Sequence, residues 1–183
     1  MTVFLVVAGL LALVVLWVVL TTNSFIRARN KVDEAWSGID VQLKRRHDLV
    51  PNLVDTVKGY AAHESATLIA VTQARSAAMA AGSGPERRAA EAQLTGALAG
   101  IQLVAEEYPD LRASENFRAL QAELSELEDQ IQAARRIYNS NVNDYNTRIQ
   151  LFPNSLVAGK SHTARDLFQL DSPAERAVPA VAF

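Results

Sequence analysis

The sequence predicts an all-α chain, with an N-terminal transmembrane helix followed by an antiparallel bundle of long coiled-coil-like helices. Three observations carry that reading: an uncharged apolar run at the start, apolar positions recurring in steps of four and three thereafter, and glycine-proline punctuation that divides the remainder into long pieces. The 183 residues, about one domain's worth, are 49% hydrophobic and 21% charged, yet no charged side chain precedes Arg27. Lys+Arg 18 against Asp+Glu 20 leaves a net charge of -2, which argues against a nucleic-acid partner bound through its phosphates. The absence of cysteine excludes disulfides, thiolate zinc sites and cysteine nucleophiles while leaving the redox compartment open.

Val3 to Leu20 is an apolar run of 18 residues, long enough as a helix to cross a hydrocarbon core of about 30 Å. A cleaved signal peptide would show a basic n-region, a shorter apolar stretch and a small-x-small cleavage site. Only Met1 and Thr2 precede the run, and Thr21-Thr22-Asn23-Ser24-Phe25 follows it, so an uncleaved anchor over residues 1–26 is expected. Arg27, Arg29 and Lys31 lie on its C-terminal side as candidate membrane-interface residues. The positive-inside rule then puts the body in the cytoplasm.

A helical bundle is expected over residues 27–152, with helices at about 27–80, 85–107 and 114–152. In the first, Val32, Trp36, Ile39, Leu43, Val50, Leu53, Val57, Tyr60 and Val71 trace one stripe, interrupted where the same register meets Arg46 and Glu64. Charges at seam positions are usually snorkelling stems or paired ions. Pro51 removes one backbone bond and crowds the carbonyl of His47, predicting a kink, or a break with Asp48 capping the second part. Ala80 to Pro85 ends this helix, and Ser83 with Glu86 reads as a capping box opening the second. Leu94, Leu98, Ile101 and Ala105 form the second stripe, closed by Tyr108-Pro109. The third begins near Ser114 and carries Phe117, Leu120, Leu124, Leu127, Ile131, Ala134, Tyr138, Tyr145, Ile149 and Phe152 on one face. Glu123, Glu126, Glu128 and Asp129 read as its solvated side.

These lengths do not match. A first helix of about 80 Å cannot lie flush with partners of about 35 Å and 57 Å. Either it bends near Pro51, or its surplus stripe is covered by the tail or by a neighbouring subunit. The tail, residues 153–183, is punctuated by Gly159, Ser161, Pro173 and Pro179, but keeps Phe168, Leu170, Val178, Val181 and Phe183, and is expected to dock.

Signals for catalysis fail one by one. His63-Glu64 begins like a helical zinc motif, but the second histidine is replaced by Thr67. His47 and His162 lie elsewhere, so neither a catalytic nor a metal site is expected, and no cofactor. Gly159-Lys160-Ser161 resembles the end of a phosphate-binding loop, but Asn154 stands where its first glycine belongs. The unusual polar feature is Tyr138-Asn139 and Tyr145-Asn146, one heptad apart, with Asn141 and Asn143 between. A partly polar seam that fixes register is the favoured reading, and a recognition surface for a partner helix the other.

The run Trp36 to Asp40, then Val41 through Val54 (Val41-Gln42-Leu43-Lys44-Arg45-Arg46-His47-Asp48-Leu49-Val50-Pro51-Asn52-Leu53-Val54), then Val57-Lys58-Gly59-Tyr60 and His63-Glu64, closely resembles the LemA family of bacterial membrane proteins. Glu107-Tyr108-Pro109-Asp110-Leu111, Phe117 with Leu120, Arg136 to Asn139, and Tyr145-Asn146 leading to Phe152-Pro153 extend the resemblance over nearly the whole chain. Val50 conservatively replaces the isoleucine usual in the family. The resemblance implies a single-pass inner-membrane protein with a short extracytoplasmic N-terminus and a cytoplasmic antiparallel helical bundle. It also implies an association, in some relatives, with the organisation of internal membranes, and it assigns no catalytic residues. Candidates for structural or interaction roles are Trp36, Arg45, Arg46, Asp48, Pro51, Asn52, Tyr60, Glu64, Pro109, Tyr138, Asn139, Tyr145, Asn146 and Pro153. Among them Arg45, Arg46 and Asp48 flank Pro51, where charged groups would satisfy freed backbone atoms or pair between helices.

The expected function is a membrane-anchored, self-associating scaffold that organises or remodels the cytoplasmic face of the inner membrane. Its expected partners are the phospholipid bilayer and further copies of itself in a large homo-oligomer, with no nucleic acid. The alternative is an adaptor for an unidentified signalling or proteolytic protein, with Val181-Ala182-Phe183 suited to a strand-addition pocket. An enzyme is disfavoured.

Overall fold

Six helices account for most of the chain in the computed structural model, which describes residues 1–82, 84–159 and 161–168. They are α1 (Thr2–Tyr60), α2 (Ser65–Ala80), α3 (Pro85–Glu107), α4 (Pro109–Ala113), α5 (Glu115–Gln150) and α6 (Asn154–Ala158), and no strand occurs among the described residues. Ser83 of the expected capping box, Lys160, and the tail from Gln169 onward, with Val178, Val181 and Phe183, lie outside the described residues. Gly84 precedes α3 with φ +78°, a left-handed conformation that favours glycine, and Pro85 follows as the first helical residue. Ser114 opens α5 by accepting the Phe117 amide at 3.4 Å on its hydroxyl.

The expected first helix of residues 27–80 is corrected to two, and the interruption is not at Pro51. Helix α1 continues through Pro51, and the chain turns at Ala61 to Glu64, where the Glu64 amide donates to the Ala61 carbonyl at 3.1 Å. Gly59, the weakest helix former nearby, stands just before that turn. Val57, Ala61, Leu68 and Val71 are all buried, a spacing that suits two helices folded onto one core as well as it suits one straight rod. Tyr60, expected on the stripe, is instead 49% exposed. The turn also removes the length problem: from Arg27 to Tyr60, α1 extends about 50 Å, close to the roughly 54 Å of α5. No surplus stripe then calls for a neighbouring subunit.

Continuity at Pro51 has a specific cause. Proline donates no amide proton, so the His47 carbonyl loses its helical partner. Arg75 of α2 supplies the missing donor, its Nε–H reaching that carbonyl at 2.7 Å. A charged group does satisfy the freed atom, but it comes from α2 and not from Arg45, Arg46 or Asp48.

The described chain groups into two compact units, residues 1–40 with 133–167, and residues 41–132 with Phe168. In the second, Val50, Leu53 and Val57 of α1, Leu68 and Val71 of α2, Leu94, Leu98 and Ile101 of α3, Leu111 of α4 and Phe117 of α5 share one core. In the first, α1 and α5 lie antiparallel. Trp36 meets Tyr138 edge-on with ring centroids 5.4 Å apart, Asn141 donates to the Lys31 carbonyl at 3.1 Å, and Arg148 donates to the Ser24 hydroxyl at 3.1 Å. Val142, Tyr145 and Ile149 are buried there, but Phe152, expected on the same stripe, lies past the end of α5 and is 80% exposed.

The apolar segment of α1 is different. Its side chains from Val3 to Leu20 are exposed, apart from the half-buried Trp17, so it is not the core helix of a soluble fold. It is long and apolar enough to cross a membrane.

Arg75→Met should leave the His47 carbonyl buried without a donor and cost about 1–3 kcal/mol in urea unfolding of the detergent-solubilised chain. In a Pro51→Ala background the restored amide supplies the bond, so most of that cost should vanish. Additive effects of the two substitutions would refute the compensation.

Candidate functional site

The polar centre of the second unit grows from two charged residues on apolar stripes. Arg46 occupies a seam position of α1, and Glu91 falls three residues before Leu94 on the buried face of α3. Their side chains are 3% and 2% exposed. The Arg46 fork donates through Nη2 to Glu91 Oε2 at 2.5 Å, and through Nη1 to Glu128 Oε2 at 2.9 Å and Thr95 Oγ1 at 3.2 Å. His47 Nε2 lies 3.0 Å from the other Glu91 oxygen. A carboxylate only accepts, so that nitrogen carries the proton. Glu91 thus receives a hydrogen bond on each oxygen, while its burial is matched by a guanidinium. Burial alone would push its carboxyl up, but the hydrogen bond from His47 and the charge and hydrogen bond of Arg46 outweigh it and hold the carboxyl below its ordinary value.

The expectation of a solvated acidic side on α5 is corrected at Glu128, which is half-buried and completes this cluster. Glu64, the other charge on the first stripe, accepts from the Tyr108 hydroxyl at 3.0 Å and ties the turn after α1 to the end of α3. That bond, with lesser contributions from burial and from the Glu64 and Glu107 charges, raises the Tyr108 hydroxyl above its ordinary value.

Beside the cluster, Arg45, Asp48 and Asn52 project from α1 and, with Leu49, face Leu120, Glu123, Glu126, Leu127 and Gln130 of α5 across an open groove of about 510 Å³. Its mixture of apolar floor and charged rim suits contact with another chain better than chemistry on a small molecule. Pro51 is half-buried. Pro109 starts α4, and Pro153, which follows a cis peptide, precedes α6. Among the described residues no group of three or more His, Cys, Asp or Glu side chains is placed to hold a metal.

The Tyr-Asn repeat is used within the first unit. The Tyr138 hydroxyl donates to the Asp166 carbonyl at 3.0 Å. Asn146 both donates to the Arg165 carbonyl at 2.9 Å and accepts the Arg165 amide at 2.8 Å. Tyr145 is buried, and Asn139 is half-buried. Arg165 also reaches Asp33 at 3.4 Å. The interface cations Arg27, Arg29 and Lys31 are exposed, Arg29 within 3.8 Å of Asp33. The candidate residues therefore fall partly into the buried Arg46 cluster, the groove, the clasp on residues 165–166 and the exposed cations, while Trp36, Tyr60, Glu64, Pro109 and Pro153 lie outside these groups. Sequence reasoning missed Glu91, Arg75 and Thr95. The available signal for Glu91 was a lone acid on an apolar stripe, opposite in sign to Arg46 on another.

The LemA family matches residues 35–183. The chain belongs to the LemA family. Among LemA-related proteins it is 33% identical over 142 residues to Protein LemA of Metamycoplasma hominis, covering 75% of this chain and 64% of that protein. It is also 24% identical over 157 residues to each of the magnetosome proteins MamQ 1 and MamQ 2 of Paramagnetospirillum magneticum, covering 72% of this chain and 58% of each relative. The chain thus spans less than two thirds of the length of these relatives.

Removing the Glu91 charge by Glu91→Gln should cost about 3 kcal/mol, because the buried Arg46 then keeps only the half-buried Glu128 as counter-ion. A carboxyl with a lowered folded value adds stability that is complete above its ordinary value of 4.5 and is lost as pH falls through the folded value. Urea midpoints of the native chain should therefore decline below pH 4.5, with a smaller decline in Glu91→Gln. Equal acid slopes for the two would contradict the assignment.

Proposed function

We propose that this LemA-family chain is a membrane-anchored, self-associating helical scaffold that organises or remodels the cytoplasmic face of the bacterial inner membrane. The observation that carries the reading is the exposed apolar segment Val3 to Leu20, which continues as the same helix into the polar body. Such a segment needs a hydrocarbon medium, and it couples whatever the body does to the bilayer. The exposed cations Arg27, Arg29 and Lys31 favour a cytoplasmic body and contact with anionic lipid, each worth about 1 kcal/mol near such a surface.

Self-association draws on apolar side chains that the body leaves in solvent, Ile69 and Met79 on α2 and Leu103 on α3, each more than half exposed. It also draws on the open groove beside Arg45 and Asp48. Two relatives named as magnetosome proteins accord with work at a cellular structure. The role is structural, with the buried Arg46–Glu91–His47 cluster holding helices together and no reaction assigned to it.

The test is the mass of the full chain by light scattering, in mild detergent and in nanodiscs. A discrete large particle is expected. A strict monomer at micromolar concentration in both media would rule out self-association and leave only the anchor.

A further inference from the structure

The register of α1 against α5 fixes what lies at the membrane boundary of the first unit. Between the Trp36–Tyr138 contact and the Ser24–Arg148 contact the two helices advance in opposite directions by similar lengths. The same steps bring Gln150, the last residue of α5, level with about Thr22, and Leu151 and Phe152 follow it in the turn beyond, near the end of the apolar run at Leu20. Two further observations agree. His162 packs against Phe25 in a tilted arrangement, ring centroids 5.0 Å apart and planes at 57°, holding the chain after α6 near that height. Thr21 is buried and Trp17 half-buried, while residues 1–16 are all exposed, so the folded body reaches up to Trp17 and stops there.

At this level the body presents apolar side chains outward. Phe152 is 80% exposed, Leu156 71% and Leu151 55%, the first two more exposed than any other large apolar side chain described after Leu20. One to three helical turns below them stand Arg148 and the exposed Arg27, Arg29 and Lys31. Apolar tips above a band that carries Arg27 and Lys31, with Arg29 and Arg148 beside Asp33 and Asp144, form the profile of a surface that sits in the head-group region of a bilayer. In water these side chains would be an unexplained liability. Beside a membrane-spanning helix they meet acyl chains.

We infer that the turn at Leu151 to Pro153 and the start of α6 form a second lipid contact, with Leu151, Phe152 and Leu156 entering the leaflet next to the point where α1 leaves it. This rests on the anchored reading above. The body is then held to the bilayer at two points, which restrains its rotation about the α1 axis.

The chain contains no cysteine, so one spin label can be placed at a time on Phe152→Cys, Leu156→Cys, Val14→Cys or Ile137→Cys. The Val14 label reports the anchor. The Ile137 label reports an exposed apolar position on α5 about 20 Å away from the boundary. Each full-length variant is reconstituted in phosphatidylcholine–phosphatidylglycerol vesicles, and label collisions with oxygen and with a water-soluble nickel chelate are compared. At 152 and 156 oxygen should win, at a depth shallower than at 14, while nickel wins at 137. Labels at 152 and 156 that behave like 137 while 14 is immersed would overturn this inference and leave the anchor standing. A Val14 label in water would overturn both. Labels at 152 and 156 shielded from both agents would mean that protein, such as a second copy, covers the site, and would overturn the lipid assignment.

Discussion

A glutamate carboxylate sealed among helices must be neutralised and hydrogen-bonded, and much of the second unit is arranged to do that for Glu91. Arg46 supplies the charge and His47 the second hydrogen bond. Because both come from consecutive positions on α1, the rotation of that helix against α3 is set to within the tolerance of a hydrogen bond. The fork of Arg46 also reaches Glu128 on α5, so a single guanidinium sets three helices against one another. Apolar packing supplies the bulk of the stabilisation, through side chains such as Leu94, Val57 and Ile101, but apolar contacts tolerate small rotations and sliding. The ionic contacts do not. Buried ion clusters often contribute less net stability than apolar replacements of the same shape, but removing one partner is costly, which ties α1, α3 and α5 to the arrangement that keeps them paired.

His47 belongs to a second constraint as well. Its ring serves Glu91 while its carbonyl, deprived of a partner by Pro51, takes the Arg75 guanidinium from α2. The proline that would be expected to break α1 instead gives α2 a point of attachment, and the helix survives because another helix satisfies the atom it orphaned. The turn at Ala61 to Glu64 brings α2 into reach of that carbonyl.

Much of the fold was legible from the sequence. The apolar run, the stripes of α3 and α5 and the start of α5 near Ser114 follow from periodicity and side-chain chemistry. What was misread shares a cause: local patterns do not report what a distant side chain will satisfy. Pro51 looked like an interruption because Arg75, more than six helical turns away in sequence, was not visible as its remedy. The true turn was hidden because Val57, Ala61, Leu68 and Val71 keep heptad spacing straight through it. Glu128 read as solvated because its neighbours Glu126 and Asp129 are exposed, and only the position of Arg46 distinguishes it. At the site, Arg46 and the Tyr-Asn repeat stood out by residue type, whereas Glu91 and Thr95 look ordinary until α1 is laid against α3.

The clasp formed by Tyr138 and Asn146 has a consequence of another kind. The hydrogen bonds described for it end on main-chain atoms of Arg165 and Asp166. It therefore reads the path of the backbone and is blind to the side chains there. Side-chain changes at 166 leave these bonds untouched, whereas at 165 a change of charge forfeits the contact with Asp33 and proline would remove the amide that Asn146 accepts. The surface that position 166 shows to its surroundings can thus change while the path of the backbone beneath it stays the same.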